Sequence, residues 1–93
     1  MPKKLEPSDI TNYAAIAFGS LRRKTGASSR ALARYLEGRG AKVSASLLTA
    51  WERGESVPNL TTLCTYLSAL DLSLGEFEDF LILIREQDQE EID

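Results

Sequence analysis

Between Gly26 and Asn59 the chain is cut at short intervals by residues that stop helices and residues that start them. Gly26 is followed by Ser28, Gly38 and Gly40 by Ser44, and Gly54 by Asn59. Serine and asparagine favour the position before a helix, where the side-chain oxygen accepts an otherwise unpaired backbone N–H. Glycine favours the position past a helix, where the backbone turns left-handed. Spaced this closely, the two signals leave room only for short helices joined by tight turns. With no alternating strand pattern beside them, they point to an all-α bundle.

Apolar spacing sets out five helices. The first eight residues, polar and carrying Pro2 and Pro7, read as a flexible lead. Ser8 or Asp9 is placed to cap a helix from about Ile10, with Ile10, Tyr13, Ala14, Ala17 and Leu21 at helical spacing. Ser28 caps a second helix whose inward residues are expected to be Leu32, Tyr35 and Leu36. Ser44 caps a short third helix facing inward through Leu48 and Trp51, with Gly54 ending it and Pro58 beyond. Asn59 opens a fourth, with the stripe Leu60, Leu63, Cys64, Leu67 and Leu70. On this reading Cys64 is a small buried residue.

Asp71-Leu72 turns the chain, and Ser73 with Glu76 fits a capping box for a fifth helix through Leu74, Phe77, Leu81 and Ile84. From Phe80 to Ile84 the apolar character continues nearly all round that helix, more than one core face buries. Phe77, Phe80, Leu81, Leu83 and Ile84 are therefore expected to form a homodimer interface. Residues 86–93 read as an acidic, frayed tail, and residues 9–85 as one domain.

Composition removes several function classes. The 93 residues include one cysteine, Cys64, and no histidine. An internal disulfide is excluded, and a zinc site has too few ligands. No apolar run approaches a membrane span. The lysines at the start have no apolar stretch behind them, unlike a secretory signal. There is no glycine-rich phosphate loop and no nucleophile–base pair, so no cofactor and no enzymatic activity is expected.

The formal net charge of −3 conceals an uneven distribution. From Ser20 to Arg53 there are eight Lys/Arg against Glu37 and Glu52, a balance of +6. From Gly54 to Asp93 only Arg85 opposes ten acids, a balance of −9. A basic stretch of this kind draws in a polyanion such as a phosphate backbone.

Within that stretch, Leu21-Arg22, Gly26, Ser28, Leu32-Ala33, Val43-Ser44, Leu48, Trp51-Glu52-Arg53-Gly54 and Pro58 follow in order, with Leu63 and Ala69-Leu70 after them. This succession resembles the lambda-repressor and Cro-like (XRE) helix-turn-helix family, over Leu21 to about Phe77. The resemblance implies a five-helix bundle with an extended C-terminal helix and a helix-turn-helix at about residues 28–53. One departure is Glu37-Gly38-Arg39-Gly40-Ala41-Lys42, which fills a link that is shorter in the family. Two glycines and two cations there suggest a flexible loop touching phosphate.

The resemblance also implies roles for side chains. Ala45, Ser46, Thr49 and Ala50 fall where the family's third helix contacts base edges, with Ser44 capping that helix near phosphate. Ser28 and Ser29 fall at the start of the second helix, Ser29 where the family often has a phosphate-binding glutamine. Arg30, Arg39, Lys42 and Arg53 are the further phosphate candidates. Arg22 and Glu52 correspond to a pair that bridges the first and third helices. Trp51 falls at a core aliphatic position. The reading surface lacks the bidentate Arg, Gln or Asn that discriminate bases most strongly, so modest direct readout is expected.

The function expected is a dimeric, sequence-specific double-stranded DNA-binding regulator, a repressor, in a cytoplasm of bacterial or phage-like type and at the nucleoid. The alternative is an antitoxin or protein-interaction adaptor, with a protein partner held at the acidic C-terminal helix.

Overall fold

The computed structural model describes residues 5–92, with side chains described through Asp88. Five helices follow one another: α1 (Pro7–Thr25), α2 (Ser29–Gly38), α3 (Ala45–Glu52), α4 (Leu60–Ala69) and α5 (Leu74–Ile92). No strand occurs among the described residues.

Local chemistry fixes the boundaries. Ser28 Oγ accepts from the Ala31 N–H (3.1 Å), Ser44 Oγ from the Leu47 N–H (3.1 Å) and Asn59 Oδ1 from the Thr62 N–H (2.8 Å). Ser73 and Glu76 cap each other, the Glu76 N–H donating to Ser73 Oγ and the Ser73 N–H to Glu76 Oε1. α1 starts earlier than the Ser8 or Asp9 cap allows. Its cap is Glu6, whose N–H donates to Asp9 Oδ2 at 3.2 Å. Pro7 takes the first helical position, where a missing N–H costs nothing. At the other end, α5 continues past Glu86 to Ile92.

Three helices end in the same way. After α2, the Gly40 N–H reaches the Glu37 carbonyl (3.1 Å) and the Ala41 N–H the Leu36 carbonyl (2.8 Å). Gly54 and Glu55 close α3 onto Trp51 and Ala50, and Asp71 and Leu72 close α4 onto Ser68 and Leu67. This paired bonding is the Schellman motif, and it needs a left-handed residue at its corner. Gly40 (φ 92°) and Gly54 (φ 74°) adopt that conformation freely; Asp71 (φ 60°) adopts it with a side chain attached. Segment 37–42 is therefore not a loose loop. It is the last turn of α2 and an ordered cap, with Ala41 and Val43 tucked into the core.

The core is built around Phe18. Its ring centroid lies 5.1 Å from Trp51, 5.4 Å from Tyr66 and 5.4 Å from Phe77, and Trp51 meets Tyr66 edge-on at 5.7 Å. One aromatic residue from each of α1, α3, α4 and α5 thus enters a single cluster. Ring pairs at these separations add attraction beyond the area they bury. Leu32, Leu36, Leu48, Leu67, Leu81 and Ile84 surround the rings.

Several sequence expectations change. Ile10, Tyr35, Leu60 and Leu74 are exposed. Tyr35 lies against the Arg39 guanidinium, 5.5 Å from its ring centroid. On α4 the buried residues are Tyr66, Leu67 and Ala69, and Cys64 is exposed. Turning α4 to insert Tyr66 against Phe18 rotates Leu60 and Cys64 toward solvent. On α5, Phe77, Leu81 and Ile84 are core residues and Phe80 is half-buried beneath Lys24, leaving Leu83 exposed by itself. Those five side chains do not form one dimer surface, because the aromatic cluster takes most of them inside the monomer.

Candidate nucleic-acid interface

α2, its Schellman turn and α3 form two short helices packed on each other. α1 backs α3 from the other side. Leu48 and Trp51 pin α3 into the core, each no more than 2% exposed, which turns the opposite face outward. Helical geometry puts Ser46 and Arg53 at the middle of that face, with Ala45, Thr49 and Ala50 beside them. Ala45, Ser46, Thr49, Ala50, Arg53 and Glu55 border one shallow surface.

An open groove of about 430 Å³ runs alongside, between α2 and the start of α3. Arg30, Ala33, Arg34 and Glu37 line it from α2; Lys42, Val43, Ser44 and Ala45 line it from the turn and α3. Three cations therefore face one acid at the N-terminal end of the outward helix. Arg34 was missed as a site candidate by the sequence reading. Its signal was present, since it lies four residues after Arg30 and so on the same helical face.

Other candidates are placed as follows. Ser28 and Ser44 are exposed and serve as caps, and Ser29 is half-buried on the first turn of α2. Arg39 does not join the groove. The C-terminal corner of α2 directs it toward Asp71, at 3.3 Å, and over Tyr35. Arg53 is exposed at the C-terminal end of α3.

A clamp sets the angle of α3. Arg22 Nε donates to Glu52 Oε2 (2.7 Å) and Nη2 to Oε1 (3.0 Å), while Nη1 reaches the Ala27 carbonyl (3.2 Å). One guanidinium thus ties α1, the α1–α2 turn and the last residue of α3. The pairing with Glu52 raises the Arg22 pKa further above its ordinary value.

A helix-turn-helix family model matches residues 20–77, from the end of α1 to the first turn of α5. The chain belongs to the XRE/lambda-repressor-like helix-turn-helix family. No curated protein and no solved structure gives a significant match. Within the helix-turn-helix, α2 is the first helix and α3 the second, the one that enters DNA in this type of motif. The match supports a DNA-binding helix-turn-helix regulator. No described helix is long and apolar enough to cross a membrane.

Proposed function

We propose that this helix-turn-helix protein is a sequence-specific double-stranded DNA-binding transcriptional regulator, acting as a repressor. It binds as a dimer with α3 in the major groove. The observation that carries the reading is the convergence of Arg30, Arg34, Lys42 and Ser44 on one groove at the N-terminal end of α3. Cations at that end hold the backbone while the outward residues of α3 meet base edges. Ser44 keeps its hydroxyl proton for a phosphate oxygen, because its cap bond uses it only as an acceptor.

For the dimer, the supporting feature is an apolar groove lined by Leu5, Ile10, Leu63, Leu74, Phe77 and Leu81, where α1, α4 and α5 meet. Ile10 is 44% and Leu74 46% exposed there, which is unfavourable for a lone chain in water. We assign the groove to a second copy, since a two-fold pair presents two α3 helices to two half-sites about one helical turn apart. Occupying a promoter in that way represses it.

The test is fluorescence anisotropy with duplex DNA from upstream of the gene and a scrambled control. Alanine at Arg30, Arg34 and Lys42 together should weaken binding to every duplex and lower the salt slope by about one per lost phosphate contact. Unchanged affinity in a folded triple variant would refute the reading.

A further inference from the structure

The outward face of α3 is unusual in what it does not offer. Between Ala45 and Ala50 no exposed or half-buried side chain carries an amide or a guanidinium. The hydroxyl groups are also largely committed. Thr49 Oγ1 donates its only proton to the Ala45 carbonyl at 3.0 Å, so it has none left for a base acceptor. Ser44 Oγ sits at the cap, at the edge of the basic groove. Of the side chains bordering the outward surface, Ala45, Ser46, Thr49 and Ala50 therefore present methyl groups and one uncommitted hydroxyl, that of Ser46. Arg53 and Glu55 border its C-terminal end, Arg53 being a phosphate candidate. Leu47, 37% exposed, adds apolar area on the flank.

Such a surface has one good complement in the major groove, the C5-methyl group of thymine. It also has a poor one. Guanine presents two acceptors there, and methyl groups laid against them leave both desolvated and unpaired. Attraction to thymine and exclusion of guanine act in the same direction. We infer that residues 45–50 of α3 select DNA by thymine methyl groups rather than by hydrogen bonds to base edges. Its cognate half-site is then rich in A·T pairs at the positions under Ala45, Thr49 and Ala50. This rests on the DNA-binding reading above and adds the class of sequence recognised.

The experiment uses the unaltered protein and changes the DNA. A duplex is first selected from a randomised library at about 200 mM salt, where binding through phosphate alone is weak. It is then remade twice, once with deoxyuridine for thymidine and once with 5-bromodeoxyuridine, whose bromine fills the place of the methyl. Deoxyuridine should weaken binding about fourfold for each methyl contacted, and bromine should restore it. Equal affinity for the deoxyuridine duplex would overturn the inference. So would a loss that bromine does not repair, since that loss comes from DNA shape. If no sequence is enriched in the selection, the sequence-specific reading itself fails; a selected duplex held equally well without its methyl groups defeats only the present inference.

Discussion

Arg22 and Glu52 face each other through two parallel hydrogen bonds, of 2.7 and 3.0 Å, across the junction of α1 and α3. Their side chains are 25% and 16% exposed, so the pair is partly withdrawn from water. Bidentate geometry is specific to the planar guanidinium. Glu52→Ala should therefore cost about 1–3 kcal/mol in urea unfolding, less than a fully buried pair because water still reaches the site. Arg22→Lys should cost less, because an ammonium opposite Glu52 keeps the charge pairing but not the bidentate geometry. DNA affinity should fall in both variants before the fold is lost, because the clamp sets how α3 projects.

Tyr66 gives a pH signature. Burial, and secondarily the negative charge of Glu52, push its pKa from 10.0 up to about 12. The fold favours the neutral phenol, so this contribution is complete below pH 10 and is lost as pH rises from about 10 to 12. Raised by about two units, it amounts to roughly 2–3 kcal/mol. Chemical denaturation across that window should show falling stability, and Tyr66→Phe should flatten this part of the decline. In an absorbance titration of the folded protein, Tyr66 should ionise only as pH approaches about 12.

Asp71 holds the corner of the α4 cap at φ 60°, where glycine is at ease and an aspartate is not. Its ion pair with Arg39 is long, at 3.3 Å, and exposed, and such pairs contribute little. Asp71→Gly should raise stability by about 0.5–1 kcal/mol. A fall in melting temperature would mean that the Arg39 pair outweighs the backbone strain.

What the sequence made legible was local. Ser28, Ser44, Asn59 and the Ser73–Glu76 box act within three residues of themselves, so they could be read directly and are found as caps. Trp51 was legible as a core residue, three positions after Leu48. The buried face of α4 was not. Counting apolar residues favours the Leu60–Cys64 stripe, but the face is chosen by the fit of Tyr66 beside Phe18, which lies 48 residues earlier. The site divided in the same way. The α3 residues follow from their spacing to Gly54. The separation of Lys42, which lines the groove, from Arg39, which turns away, depends on the direction given by the Gly40 corner, and composition cannot supply that.

The same distinction settles how the proposed dimer should be tested. Ile84 lies in the core, so Ile84→Asp should unfold the protein rather than separate two copies, at a cost of several kcal/mol from a buried unpaired charge. Leu74 is the better probe. It is exposed, it lines the apolar groove, and it occupies the first position of α5, where an acid is favourable to the helix. Leu74→Asp should give a folded chain that sediments as a monomer and binds a two-half-site duplex more weakly than the unaltered protein. Leu83, nine residues later, points to the opposite side of α5 by helical geometry, and Leu83→Asp should leave association unchanged. A dimer that survives Leu74→Asp but separates with Leu83→Asp would move the interface to the outer face of α5 and leave the groove without its assigned occupant.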